Sequence, residues 1–326
     1  MERGRVRVST GARLHFGFQN LSLAHQRLYC GIGAALSEPL AVVEAEPAPT
    51  VEAPPVVADA ARQARDLLDV PGARVELVES LPRHVGLGSG TQHALVTYAA
   101  VARTHGIEPD VRDAAPALGR GGRSGVGVTA FERGGFVVDA GHPSGQFTTY
   151  RPPDGEWEVP PVAARHALPD EWRALVVRPD VEAGRNGTEE EASMRSVVER
   201  ADPDTADRIA GVVNRRLLPA AASGDLDGFG DAVSTVSRLN GTWYADEQGG
   251  VFRPPVGTLV ERLRRDPAIT GAGQSSWGPT TFGITEAGVA EAARRAGRRA
   301  LSAAGVDGHV SVVGFANEGS RTERRG

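Results

Sequence analysis

The sequence predicts an α+β protein of two domains, 1–168 and 169–326. Three observations carry that prediction. The chain has 326 residues, 40% of them hydrophobic, which exceeds the usual size of one domain and suffices for a real core. The first half reads strand, strand, helix, strand, loop, helix, and the second reads strand, helices, strand, helix, strand, a layered pattern. A stretch rich in Pro, Gly and Asp, 142–170, lies between them.

Taken in order, residues 5–9 (RVRVS) alternate as a strand and 11–19 (GARLHFGFQ) continue it. Arg13 and His15 are two apart and so share a face. Such a pair suits an anion, or is an ordinary surface pair. Residues 30–36 (CGIGAAL) and 41–45 (AVVEA) read as further strands. The Pro- and Ala-rich stretch 47–55 reads as a surface connection, 59–68 as a helix and 73–79 (ARVELVE) as a strand.

The stretch 81–100, LPRHVGLGSGTQHALVTYAA, organises the chain. A Gly-Leu-Gly-Ser-Gly-Thr loop runs into an apolar helix free of Gly and Pro. Gly86, Gly88 and Gly90 let the backbone approach a ligand closely. Ser89 and Thr91 can bond free N–H groups or phosphate oxygens. Helix N–H groups and the positive end of the dipole then converge on one spot, which favours phosphate or pyrophosphate. An ordinary capped glycine turn has the same pattern.

Further on, Arg120 and Arg123 flank Gly121-Gly122, with Ser124-Gly125 following. Arginines on such a loop suit phosphate or carboxylate, because guanidinium grips both in a bidentate way, and a solvated loop would look similar. Residues 136–140 read as a strand that carries Asp139. In the second half, 172–178 (WRALVVR) is a strand. GRNGT at 184–188 precedes the acidic run 189–191, which reads as a helix first turn or a metal site. Residues 193–265 read as helical, interrupted at Pro219 and over 241–255. Residues 272–283 (AGQSSWGPTTFG) link a helix to a strand at 281–284. A helix over 286–304, a strand over 308–315 and a disordered polar tail over 318–326 complete the chain.

Composition narrows the chemistry. All 36 basic residues are arginine, since the sequence contains no lysine. That excludes a lysine Schiff base, a phosphate-loop lysine and a lysine stabilising a transferring phosphoryl group. Anion binding rests on arginine, backbone N–H groups and metal. The net charge of -5 points to no nucleic-acid partner. No run approaches the roughly 20 apolar residues of a membrane span. The N-terminus MERGRVRVST lacks a signal-peptide segment, and Cys30 is the lone cysteine, so a cytoplasmic setting without a membrane is expected.

Five segments together, ARLHF (12–16), CGIGAAL (30–36), PRHVGLGSGTQ (82–92), GRGGRSGVGVTAFERGG (119–135) and GAGQSSWGPTTFG (271–283), resemble the β-ribofuranosylaminobenzene 5′-phosphate synthase family of the GHMP-kinase superfamily. RNGTEEE (185–191) and QGG (248–250) extend the resemblance over most of the chain. It implies a ribosomal-S5-like first half, a ferredoxin-like second half, a ligand between them and a homodimer. It also implies a reaction in which phosphoribosyl pyrophosphate (PRPP) joins an aromatic or heteroaromatic carboxylic acid through a carbon–carbon bond, with release of CO2 and pyrophosphate and with Mg²⁺ present. One branch of the family makes C-nucleoside antibiotics of the formycin and pyrazofurin type from an aminopyrazole dicarboxylate. Members that make folate-like cofactors from 4-aminobenzoate carry an acidic residue and a glycine just before GIG. Tyr29 and Cys30 stand there in this sequence, which points to the C-nucleoside branch.

The resemblance assigns roles. Gly86, Gly88, Ser89, Gly90, Thr91 and Gln92 hold a phosphate of PRPP. Arg120, Arg123 and Ser124 meet another phosphate or an acceptor carboxylate, Arg13 and His15 line the acceptor side, and Gln274, Ser275 and Ser276 close the site from the second domain with catalytic roles. The metal ligands are unassigned, with Asp139 and Glu190 the first to test and Asp139 counted among the catalytic residues. Superfamily kinases carry an aspartate in an SGxD segment, where this chain has Ser124-Gly125-Val126-Gly127. A kinase would lack its general base there, whereas a decarboxylating transfer needs none. A small-molecule ATP-dependent kinase and a catalytically silent binding protein are the competing readings.

Overall fold

The computed structural model describes residues 4–182 and 187–325, with side chains over 4–182 and 191–324. β1 (Arg5–Asn20) and β2 (Arg27–Pro47) form a long antiparallel pair. The first half continues with α1 (Ala58–Leu68), β3 (Ala73–Glu79), α2 (Ser89–Thr104), α3 (Val111–Ala114), α4 (Val126–Arg133), β4 (Phe136–Asp139), β5 (His142–Pro143) and β6 (Val162–His166). The second half opens with β7 (Trp172–Pro179), followed by α5 (Gly187–Arg200), α6 (Pro203–Val212), a π-helical turn (Val213–Leu217), α7 (Leu218–Ser223) and α8 (Leu226–Gln248). It ends with α9 (Val256–Arg264), β8 (Gly271–Gln274), β9 (Thr281–Glu286), α10 (Ala290–Ala304), β10 (Gly308–Gly314) and β11 (Arg321–Arg325).

One sheet has the order β11-β1-β2-β4-β6, with β3 and β5 also paired to β2; the other has the order β10-β7-β9-β8 and is antiparallel throughout. Helix α2 packs on β1 and β2, and α10 on β10 and β7. This is the α+β architecture that the strand and helix pattern predicted.

Three local readings change. The tail does not stay disordered, because β11 pairs antiparallel with β1 and returns the chain to the first sheet. Residues 272–274 are not a link but β8, so the GQSSWGP segment is the turn of a hairpin with β9. Helix α8 runs unbroken through Gly241 and stops at Gly249, which takes the left-handed conformation of a C-cap. Pro219 does not end the helical run, because the π-helical turn Val213–Leu217 leads straight into α7 and widens the ladder just ahead of it.

Along β1 the period of two buries Val6, Val8, Thr10, Ala12, Leu14 and Phe16. A register shift between His15 and Gly17 breaks the alternation, so His15 is buried beside Phe16. The same bulge meets α8. Asn240 accepts a hydrogen bond from the Phe18 N–H at 2.7 Å and donates to the Phe18 carbonyl at 2.9 Å. The amide replaces a strand partner, and it sits where a Cβ on Gly17 (φ +142) would fall, at 2.6 Å. A single apolar core crosses between the halves: Phe16 lies 5.0 Å from Phe282, and Phe229 lies 5.2 Å from Phe136 and 5.1 Å from Trp172, ring to ring.

His15, His93 and His142 are buried within this framework. His93 Nε2 accepts the Leu81 N–H at 3.1 Å, and His142 stacks on Phe147 with centroids 3.7 Å apart. Burial holds all three neutral, pulling His15 down to about 3 and His93 and His142 down to about 4, from an ordinary 6.5.

Asn240→Ala removes both bonds to Phe18 and leaves its buried N–H and carbonyl unmet. Urea denaturation should show a loss of about 2–4 kcal/mol. The histidines set a pH dependence. Their folded pKa values lie below the unfolded ones, so the stability they contribute is complete above pH 6.5 and drains as pH falls toward 4. Unfolding at pH 5 should therefore take up about three protons, and the urea midpoint should fall between pH 7 and pH 5.

Candidate active site

Three segments far apart in sequence meet at the Gly86 carbonyl. Arg13 Nη1 donates to it at 2.7 Å, and so does Ser275 Oγ, also at 2.7 Å. Ser275 Oγ in turn accepts the His15 N–H at 3.0 Å. Backbone bonds extend the junction: Arg13 N–H to the Leu87 carbonyl, Ser276 N–H to the His15 carbonyl and Thr280 N–H to the Val85 carbonyl. A Cβ on Gly86 would fall 2.2 Å from the Ser275 carbonyl oxygen, and one on Gly278 would fall 2.1 Å from the Val85 backbone. The two motifs carry glycine at these positions because their main chains touch.

The loop then turns into α2. Gly88 is the N-cap, in a left-handed conformation, with no side chain capping the helix. The N–H groups of Ser89 and Gly90 begin the helix and have no carbonyl one turn earlier to bond. Two cations flank this end. The Arg13 side chain lies 2.8 Å from where a Gly88 Cβ would be, and Arg120 Nη1 lies 3.1 Å from the corresponding point on Gly90.

Arg13 and Arg120 also line a cleft of about 680 Å³, together with Arg123, Arg151 and Arg195. Glu191 is the one carboxylate among its described lining residues, and it bridges two of the arginines, Arg123 Nη2 and Arg151 Nε each at 3.2 Å. Arg151 stacks over Trp157 and Arg195 over Tyr150. Arg120 Nε is buried without a hydrogen-bond partner. Burial lowers its guanidinium pKa and Asp154 raises it. A buried guanidinium with an unmet donor, beside an uncapped helix end, is a seat for an anion.

Seven of the residues singled out in the sequence line this cleft: Arg13, His15, Thr91, Arg120, Arg123, Ser124 and Ser276. Gly86 and Gly88 form the loop, and Ser89 and Gly90 the first turn of α2, beside Arg13 and Arg120. Four do otherwise than the sequence suggested. Gln92 is fully buried and joins Thr10 to the Gly127 carbonyl, so its amide holds α2 to β1 and α4. Ser275 is fully buried with its hydroxyl taken up by the junction, which makes it a positioning residue. Gln274 faces a smaller side pocket and accepts the Arg253 N–H. Asp139 is fully buried. Its Oδ1 accepts from the Gly31 and Gly141 N–H groups and its Oδ2 from Ser124 Oγ and the Gly125 N–H. It is an anchor for the Ser124 loop, with no lone pair left for a metal. Burial raises its pKa, against the four donated bonds that lower it. The Glu190 side chain lies outside the described residues.

Sequence reasoning missed Arg151, Arg195 and Trp277. Arg151 sits in an irregular stretch six residues from its partner Trp157, and Arg195 is on α5 over Tyr150, a partner remote in sequence. Among the described residues no group of three or more His, Cys, Asp or Glu is arranged to hold a metal. No helix among the described residues is long and apolar enough to cross a membrane.

Residues 55–135 match the family model of the GHMP kinases N terminal domain. The fold is similar to that of homoserine kinase from Cytophaga hutchinsonii, with a TM-score of 0.68 at 15% identity over 99% of this chain and 98% of that one. It is similar to Lactococcus lactis galactokinase in complex with galactose, with a TM-score of 0.68 at 10% identity over 97% and 95%. Such identities speak for the fold alone. The chain is 26% identical over 301 residues to the beta-ribofuranosylphenol 5′-phosphate synthase of Methanocaldococcus jannaschii, covering 84% of this chain and 88% of that one. It is 30% identical over 295 residues to the enzyme of the same name from Methanothermobacter thermautotrophicus, covering 86% and 88%. At that identity and coverage the chain belongs to the beta-ribofuranosylphenol 5′-phosphate synthase family, on a GHMP-kinase fold.

Proposed function

We propose that this protein is a PRPP-dependent, decarboxylating C-ribosyltransferase. One observation carries the reading: the cleft collects five arginines around an uncapped helix end and offers no free general base among its described residues. Glu191 is held between Arg123 and Arg151. His15 is neutral and too weakly basic, at about 3, to remove a proton near pH 7. Gly127 stands where superfamily kinases carry aspartate, and Thr91 Cγ2 lies 3.1 Å from where its Cβ would be. A kinase acting on an alcohol needs that base.

The proposed reaction needs none. The acceptor ring supplies a π electron pair to C1′ of PRPP and forms the carbon–carbon bond. The C1′–oxygen bond breaks and its pair leaves with pyrophosphate. The ring's bond to its carboxylate carbon then breaks, the pair returns to the ring, and CO2 departs. Charge develops on the leaving diphosphate, where Arg120, Arg123 and the α2 N-terminus can meet it. Preorganised donors of this kind supply about 2.7–4 kcal/mol each in other enzymes.

The acceptor we assign is an aminopyrazole dicarboxylate, as in C-nucleoside biosynthesis, in preference to 4-aminobenzoate. Tyr29 supports this. Its backbone (φ 74) and that of Cys30 (φ 57) are left-handed, a conformation that the glycine of the 4-aminobenzoate users suits better. The Tyr29 ring is buried near Phe18 and Phe147, and its hydroxyl is hydrogen-bonded to Arg123. A neutral phenol in place of a carboxylate leaves Arg123 facing one negative charge fewer, which suits a second acceptor carboxylate.

Incubation with PRPP, Mg²⁺ and each candidate acid, with CO2 and pyrophosphate followed together, tests the reaction. Equal release of both with the pyrazole acid is expected. Phosphate transfer from ATP to an alcohol, or stabilisation by ATP and not by PRPP in a thermal-shift assay, would overturn it. Arg120→Ala should weaken PRPP binding by roughly 10- to 100-fold, as loss of a charge-assisted bond does. An unchanged Kd by calorimetry would remove Arg120 from the site.

A further inference from the structure

Glu191 is the odd group in the arginine cleft. It is partly exposed, and a single oxygen, Oε1, meets both Arg123 Nη2 and Arg151 Nε at 3.2 Å. An oxygen shared by two guanidiniums is also the way such a pair holds the oxyanion of a ligand. Neither arginine depends on Glu191 for its place. Arg123 is hydrogen-bonded to the Tyr29 hydroxyl. Arg151 stacks over Trp157 at 4.7 Å and pairs with Asp154 at 3.1 Å. The seat therefore stays formed if the carboxylate leaves it.

The carboxylate also has somewhere to go. Arg195 lies one turn further along α5 and lines the same cleft. Its guanidinium rests on Tyr150 at 3.9 Å, and its Nε is buried without a hydrogen-bond partner. A glutamate four residues before a basic residue is the favoured order for an ion pair on a helix. In this structure Glu191 instead reaches across the cleft to the arginines of the first domain.

We infer that Glu191 is a stand-in for a ligand's oxyanion: it fills the Arg123–Arg151 seat in the free protein and moves to Arg195 when a doubly charged group arrives. Which ligand brings that group rests on the ribosyl-transfer reading. One carboxylate replacing another gains no charge and gives up the freedom of the incoming molecule. A phosphoryl dianion, or the paired carboxylates of a dicarboxylic acid, brings a second charge to the two guanidiniums. Glu191 is thus a specificity residue that sets the least charge a ligand must carry to enter the seat. It transfers no proton.

Calorimetric titration of the full chain with inorganic phosphate, malonate and acetate tests this. The wild type should bind phosphate or malonate, which tells the diphosphate from the acceptor as the source, and should not saturate with acetate. Glu191→Gln should tighten the bound dianion by roughly three- to tenfold, the worth of two partly exposed ion pairs, and admit acetate. Asp154→Asn removes the same charge beside Arg151 without opening the seat and should change little. Unchanged or weaker binding in folded Glu191→Gln would overturn the inference, as would an equal gain in both variants or a wild type that binds neither dianion. Arg195→Met should weaken the dianion in the wild type and not in the Glu191→Gln background. Equal losses in the two backgrounds would give Arg195 to the ligand and overturn the move. PRPP titrated with Mg²⁺ reads the function separately. Failure to bind it, with the Glu191-dependent gain intact, would sink ribosyl transfer and leave the seat standing.

Discussion

The Gly86 carbonyl is the point on which the site depends. It receives Arg13 from the first strand and Ser275 from the hairpin turn, and both donors are themselves locked, Ser275 by the His15 N–H. Main chain touches main chain at Gly86 and Gly278, so no side chain can intervene. The contact sets the register of three segments at once. It holds the start of α2 against β1, brings the second domain's turn over the first domain's loop and leaves Arg13 at the edge of the cleft. A loosened junction would move the phosphate loop relative to both arginine walls.

Asp139 is the second fixed point, and it shows how a carboxylate near a site can serve the scaffold alone. A fully buried anion is costly unless its oxygens are satisfied. Here three N–H groups and one hydroxyl satisfy them, two donors from the Ser124 loop, one from Gly31 in β2 and one from Gly141. The carboxylate shapes the Ser124 turn without facing solvent. The cleft itself is left with cations, and its charge matches a highly anionic ligand. With lysine absent from the chain, that positive field comes from arginines, several steadied by aromatic rings.

The kinases that share this fold and the synthases that share its sequence illustrate that architecture does not decide chemistry. The local features of this chain's cleft are glycine at 127, a carboxylate bound between arginines, and a neutral histidine between a charged cleft and an apolar pocket.

Local pattern was enough for elements whose burial is periodic. The strand over Ala73–Glu79 is read at its true limits, α2 and β7 to within a residue or two, and the glycine loop is visible as a helix-end anion seat because its residues are contiguous. Glycine and proline misled the reading at 219 and 241, where neighbouring helices and a capped end override local propensity. The pairing of the tail with β1 has no local signature, since a strand's partner lies outside its own sequence. The same holds for the site. Residue types named Arg120 and Arg123, but only the packed chain could add Arg151 and Arg195 and withdraw Gln92, Ser275 and Asp139 from the ligand. A hydrogen-bonding group serves either the scaffold or a ligand according to which groups reach it first, and contacts between residues up to 260 positions apart settle that.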